Sequence, residues 1–299
     1  METRIPVPKD FNFKRTAISH GWYDLQPFEF DKASWTLTRV INLTGEKVVT
    51  VSISEAKQAI KVGMPDKLSK RAIEKIDRDV RHIFRLDDEM ANFYGQTMGH
   101  PEFDWIARAG AGRLLRSPSV FEDLVKSVCT TNCSWALTSI MVKSLVSKLG
   151  VEARDGRRSF PTPEAMAAQT ESFFRDEVRA GYRSSYFKEM AERVASGEID
   201  PESWLTSEKP TTELKREIKQ IKGVGDYAAE NLLKLIGRYE GLALDSWLRS
   251  QFAKKRNKGR TADDKKIAKY YSKFGDWCGL AIWCDMTRDW MEDDGLFKS

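Results

Sequence analysis

The sequence predicts an α+β protein, with a small antiparallel β-rich domain over residues 1–86 followed by a large all-helical domain over residues 87–299. Three observations carry this. Val49-Thr-Val-Ser-Ile53 alternates apolar and polar residues with period two, the pattern of a half-buried strand. From about Lys67 onward the apolar spacing turns helical. A chain of 299 residues also exceeds one ordinary domain of roughly 150 residues.

Trp35-Thr-Leu-Thr38 opens a second period-two run, and Asn42-Leu-Thr-Gly-Glu46 supplies turn chemistry between the two strands. Ser69 to Arg81 sets Ala72, Ile73, Ile76 and Val80 at helical spacing, and Leu86-Asp-Asp-Glu-Met90 reads as another helix start. After Pro118, residues Val120, Phe121, Leu124, Val125, Val128 and Cys129 form one helical face, interrupted by Thr130-Thr-Asn-Cys-Ser134. A second helix runs from Trp135 to Leu149, with Leu137, Ile140, Met141 and Leu145 inward and Gly150 as its stop. Loops are expected near Pro161–Pro163 and Ser207–Pro210.

The stretch that carries chemistry begins at Thr211. Thr211 or Thr212 can cap a helix bearing Leu214, Ile218 and Ile221, and Gly223-Val224-Gly225 then makes a tight turn. Asp226 can cap a second helix, with Ala229, Leu232, Leu233 and Ile236 inward and Gly237 ending it. Glycines here let a ligand approach the backbone and leave amides at a helix N-terminus, which suits a phosphate. An ordinary helical hairpin with a glycine turn would look the same. The next segment weighs against that: Leu242-Ala-Leu-Asp-Ser-Trp-Leu248 sets one acid, Asp245, in an apolar stretch, where a carboxylate needs a partner or a task. Asp245 can also cap a helix, and both readings can hold together.

This combination resembles the helix–hairpin–helix DNA glycosylase superfamily, in the branch of 8-oxoguanine glycosylases and bacterial 3-methyladenine glycosylase II-like enzymes. Arg113-Leu-Leu-Arg-Ser-Pro118, Phe121 to Asn132, Gly181-Tyr-Arg-Ser-Ser-Tyr186 and Phe274-Gly-Asp-Trp277 look like the corresponding family segments, and the likeness covers about residues 84–290. It implies a helical glycosylase domain with the helix–hairpin–helix at about 211–237, acting on double-stranded DNA that carries damaged bases. It implies that Asp245 is the catalytic carboxylate, stabilising an oxocarbenium-like transition state and orienting or deprotonating water. Family members that also cut the backbone carry a lysine two residues past the second hairpin glycine; that position is Tyr227, while Lys222 and Lys234 stand elsewhere. The implied reaction is therefore base removal by water without lyase activity. Asn132 matches the residue that fills the gap left by the flipped base, and Tyr227, Asn231 and Trp283 match base-pocket positions. Phosphate contacts are implied at Gly223, Val224 and Gly225, with Lys222 beside them and a structural Na+ or K+ on the backbone of Gly223 and Gly225. Lys254, Lys255 and Arg256 open a run with five positive charges and no acid, read as a further DNA contact.

The damaged base is expected to be an alkylated purine. Gly279 stands where 8-oxoguanine glycosylases carry a glutamine that reads guanine, and His20-Gly-Trp-Tyr-Asp-Leu-Gln-Pro-Phe28 does not reproduce their Gly-Gln-Ser-Phe pattern. An oxidised-purine glycosylase is the alternative, and a non-catalytic lesion-sensing DNA-binding protein is the alternative of another class. Trp22 and Tyr23 are placed loosely at the pocket or the DNA surface. Only Cys278 and Cys284 lie near the C-terminus, so no iron–sulfur cluster is expected. Composition adds limits. Three scattered histidines argue against a His-based metal site or a His-centred triad, and no apolar run approaches the ~18 residues of a membrane helix. A monomer in the cytoplasm, or in the nucleus of a eukaryote, is the expectation, with a mild net charge of 49 − 44 = +5.

Overall fold

A computed structural model of the protein describes residues 1–44 and 47–292. The expected turn at Asn42–Glu46 falls partly outside them, because Gly45 and Glu46 are not among the described residues. Five strands, β1 Glu2–Pro6, β2 Phe28–Asp31, β3 Thr36–Thr44, β4 Lys47–Ala56 and β5 Ala59–Gly63, form an antiparallel sheet in the order β1-β5-β4-β3-β2. Register obeys the alternation: Leu37, Arg39 and Ile41 pair with Ile53, Val51 and Val49, and all six are buried. A basic residue on that face needs a partner. Arg39 finds it in Glu122, with Nη–Oε distances of 2.6 and 3.2 Å, and Lys126 meets the same carboxylate at 2.7 Å. This buried triad joins the sheet to the helices.

The helices are α1 Phe13–Ala17, α2 Lys70–Ile83, α3 Ala91–Met98, α4 Asp104–Arg108, α5 Val120–Cys129, α6 Trp135–Leu149, α7 Pro163–Ala167 and α8 Glu171–Asp176, then α9 Ser184–Ala195, α10 Thr211–Ile218, α11 Asp226–Leu235, α12 Ser246–Arg256, α13 Asp264–Tyr271, α14 Cys278–Met286 and α15 Arg288–Glu292. None of them is long and apolar enough to cross a membrane. Ser119 caps α5 and Ser134 caps α6 through their hydroxyls.

Several expectations are corrected. Leu86–Met90 does not start a helix; α3 begins at Ala91. The acids there serve arginines instead: Asp87 pairs with Arg81, and Asp88 with Arg85. Arg85 sits at φ 55° and donates to the carbonyls of Lys234 and Leu235, so this turn anchors the C-terminal end of α11. Helix α5 is buried on every side rather than along one face. In α6 the inward residues are Thr138, Met141, Val142, Leu145 and Val146, while Ile140 is exposed. Pro210, not Thr211 or Thr212, occupies the cap of α10, and Thr211 is the first helical residue.

Candidate active site

The hairpin is built by its first glycine. Gly223 has φ 91°, and a side chain there would place its Cβ 2.5 Å from the Tyr186 ring. Val224 is buried beneath the turn and donates to the Ile221 carbonyl at 3.0 Å. Gly225 caps α11 without any side-chain cap, so the first amides of that helix stay uncovered. Asp226 is not that cap, contrary to expectation. It is the first residue of α11, and its carboxylate lies 2.9 Å from Lys215 and 3.0 Å from Lys219, beside α10.

A groove of about 770 Å³ runs past this turn. Asn132, Tyr182, Lys222 and Gly223–Gly225 line it, and so do Tyr227 and Asp245. Asn132 is exposed at the tip between α5 and α6, in the left-handed conformation at φ 46°. Its neighbour Thr131 is gripped by the buried Arg183, which donates to the Thr131 carbonyl and, at 3.2 Å, to its hydroxyl. Arg183 in turn stacks 4.5 Å from the ring of Tyr182, a tyrosine 54% exposed beside Asn132.

Asp245 stands at the inner end of this groove. It caps α12, its Oδ1 accepting from the Leu248 amide at 2.7 Å, and the Tyr227 phenol hydrogen-bonds the same carboxylate. The loop before it is strapped to α11 by Glu230, which accepts from the Ala243 amide at 2.6 Å and pairs with Lys215 at 2.5 Å. Tyr227, Asn231 and Lys234 succeed one another at spacings of four and three on α11, so one helix face presents all three to a single cavity. Burial, and then the Asp245 carboxylate, push the Tyr227 phenol up to about 12, so it stays protonated. Lys234 is 2% exposed and donates to the Leu242 carbonyl at 3.0 Å; burial brings its amine down to about 8.

The cavity holds about 730 Å³ and is walled by aromatics. Trp283 donates its indole N–H to the Ser19 carbonyl at 3.0 Å, which fixes the ring. Trp247 and Trp290 stand 6.1 and 5.8 Å from it, centroid to centroid. Trp22 is held by the buried Asp123 at 2.7 Å, and Trp135 by Asp24 at 2.8 Å, with its ring edge on Gly21. A roomier depression of about 1290 Å³ lies along β4, α2 and residues 152–157, but lysines, arginines and acids line it without an aromatic wall.

The structure therefore brings Asp245, Tyr227, Asn231 and Trp283 together around one cavity, and Asn132, Lys222, Gly223, Val224 and Gly225 along the adjoining groove. The basic run is different. Arg256 forms two bonds, 2.8 and 2.5 Å, to the buried Asp285, and Lys255 binds the Met286 carbonyl at 3.0 Å and Asp289 at 2.7 Å. Both cations are spent on joining α12 to α14 and α15, so only Lys254 of the three faces outward. Gly279 lies outside the cavity, where a side chain would overlap the Gly241 carbonyl. Trp247, Trp290 and Tyr182 were not singled out from sequence. Five of the nine tryptophans in the chain line this one cavity, and no sequence spacing links them. Among the described residues, no group of three or more His, Cys, Asp or Glu is placed to hold a metal ion.

No protein-family model matches the chain, and no curated protein matches it. Solved structures do, along nearly the whole length. A 3-methyladenine DNA glycosylase from Archaeoglobus fulgidus is 17% identical with a TM-score of 0.75, over 97% of this chain and 99% of that one. The Clostridium acetobutylicum 8-oxoguanine glycosylase/lyase, in complex with double-stranded DNA containing cytosine opposite 8-oxoG, is 18% identical with a TM-score of 0.74, over 98% of each chain. MBOgg1 in complex with a low-affinity DNA ligand is 22% identical with a TM-score of 0.74, over 97% of this chain and 96% of that one. These likenesses establish the fold, an N-terminal sheet followed by a helical domain, which both kinds of glycosylase share equally well.

Proposed function

We propose that this protein is a DNA glycosylase that draws a damaged base out of the duplex and hydrolyses its N-glycosidic bond. One observation carries the reading: Asp245 and Tyr227 border both the aromatic cavity and the hairpin groove. An acid at that junction meets the sugar when the base lies in the cavity and the phosphates lie along the groove. The uncovered amides of α11 and Lys222 would take a phosphate, and Asn132 would enter the space the base vacates. The hairpin's one acid, Asp226, is tied to lysines, so a Na+ or K+ there would be held by main-chain carbonyls and would add positive charge beside the phosphate.

Chemistry then needs few groups. Leu248 holds Oδ1 of Asp245, and Oδ2 stabilises the sugar as it gains positive charge and accepts a proton from the attacking water. Tyr227 fills the position of a lysine nucleophile with a protonated phenol, so the product is an abasic site without strand cleavage. Cavity and groove come from one chain, which supports a monomer. The aromatic walls support a purine, and the alkylated purine expected from the sequence draws on their stacking. The buried donor Lys234 weighs the other way, for a neutral oxidised or deaminated purine over a cationic alkylated one.

The test is base release from duplexes carrying 3-methyladenine, 7-methylguanine, hypoxanthine or 8-oxoguanine, with the wild type beside Asp245→Asn. Release that is lost in the variant, with breaks only after alkali and no borohydride-trapped adduct, is the expected result. A trapped adduct would overturn the hydrolytic mechanism. Tight binding with no release of any base would leave a lesion-sensing DNA binder instead.

A further inference from the structure

We infer that Lys234 is a charge filter of the base cavity: its buried ammonium admits neutral bases that carry an exocyclic carbonyl oxygen and disfavours cationic ones. This rests on the cavity being the base site. Lys234 shares the α11 face of Tyr227 and Asn231 and lines the same cavity as Trp283 and Asp245. An ammonium has three N–H donors. One is used on the Leu242 carbonyl at 3.0 Å, and no other hydrogen bond of this amine is seen among the described residues. Among the described residues no carboxylate lies within ion-pair distance of it, and Glu230 and Asp245 act on its charge only from further off. Glu230, the nearest acid on its own helix, is committed to Lys215 and to the Ala243 amide. Asp245 is committed through Oδ1 to the Leu248 amide.

A buried donor with spare N–H groups is costly until an acceptor arrives, and a carbonyl oxygen on an extruded base is such an acceptor. A positively charged base meets the same ammonium as a like charge in a water-poor site, where screening is weak. Aromatic walls alone would favour the cation. Lys234 opposes that preference, while Asp245, held by the Leu248 amide and by Tyr227, acts at the sugar in this reading. Lys234 therefore acts on which base enters, while Asp245 acts on the bond that breaks.

The test uses 7-methylguanine and hypoxanthine, which share the 6-carbonyl and differ in charge. Single-turnover release of each at neutral pH is compared for the wild type, Lys234→Met and Lys234→Gln. The release ratio of cationic to neutral base is expected to rise at least tenfold in Lys234→Met. In Lys234→Gln it should rise while the neutral base is better retained, because a donor remains without charge. An unchanged ratio overturns the inference, and so does a borohydride adduct of the wild type that Lys234→Met abolishes, since Lys234 would then be a nucleophile. Affinity for 2′-fluoro duplexes, which resist cleavage, gives a second readout that needs neither folded variants nor catalysis. Wild type should bind the hypoxanthine duplex more tightly than the 7-methylguanine duplex, and the reverse order overturns the filter. Loss of all base release with that order intact would sink the glycosylase reading but keep the filter.

Discussion

Asp245 combines two roles that substitution can separate. As a helix cap it holds the Leu248 amide, and as a carboxylate it faces the cavity. Asn keeps the cap and removes the charge. Asp245→Asn should therefore lower base release by roughly 10²–10³-fold, in line with the loss of one transition-state electrostatic contact. Its melting temperature should stay near that of the wild type. Asp245→Ala should lose the same activity and a further ~1 kcal/mol of stability, the usual cost of a lost cap. Equal melting temperatures for the two variants would show that the cap is not a source of stability. Lys234 makes the complementary point: a long basic side chain, usually solvated, lies buried where its amine finds the Leu242 carbonyl.

At the scale of elements, the two hairpin glycines do different work. Gly223 needs its positive φ and its closeness to Tyr186, whereas a Cβ on Gly225 would meet open space. Gly223→Ala should cost about 1–3 kcal/mol in a denaturant melt. Gly225→Ala should leave the melt nearly unchanged yet weaken DNA affinity if, as proposed, a phosphate approaches the open space that the added methyl would fill. Comparable stability losses in both would contradict that division. The junction of α12 with α14 supplies a second contrast. Arg256→Ala leaves Asp285 buried without its guanidinium and should cost about 3 kcal/mol. Lys254→Ala should be neutral for stability and should flatten the salt dependence of DNA binding by about one phosphate contact. A salt slope that changes with Arg256 rather than Lys254 would reverse the assignment.

Across the whole molecule, Asp123 links the parts. From the first turn of α5 it accepts the Trp22 indole N–H at 2.7 Å and the Ser117 amide at 2.9 Å, and burial pushes its carboxyl up to about 6. The folded state then holds a proton that the unfolded chain releases near pH 4. Stability from this group is present at low pH and falls as pH rises from about 4 to about 6, by about 3 kcal/mol for a shift of this size. His20 runs the other way. Burial lowers it to about 4, so its contribution rises over a similar window. The two partly cancel in the wild type. The difference between wild type and Asp123→Asn, measured by chemical denaturation from pH 4 to 7, isolates Asp123, and the variant should gain relative stability as pH rises. A difference that is flat across that range would mean Asp123 ionises normally.

Read alone, the amino-acid chain settles local features. Period-two runs mark which strand faces are buried, glycine and proline mark the hairpin and its approach, and an acid in Leu242–Leu248 marks a carboxylate that needs a partner, a cap or a task. Each depends on residues a few positions apart, which is why Leu37, Ile53, Gly223 and Asp245 could be placed before any fold was known. Packing settles what each face meets. Helical spacing cannot say that Trp22, Trp135, Trp247, Trp283 and Trp290 converge on one cavity, because they come from five separate segments. It cannot say that Arg256 turns inward, because Asp285 lies 29 residues away. Nor can it turn Lys234 from a surface charge into a buried donor, since that depends on Leu242 folding back over α11. Burial and partner choice are properties of packed segments, and those properties determine the charge and shape of the cavity.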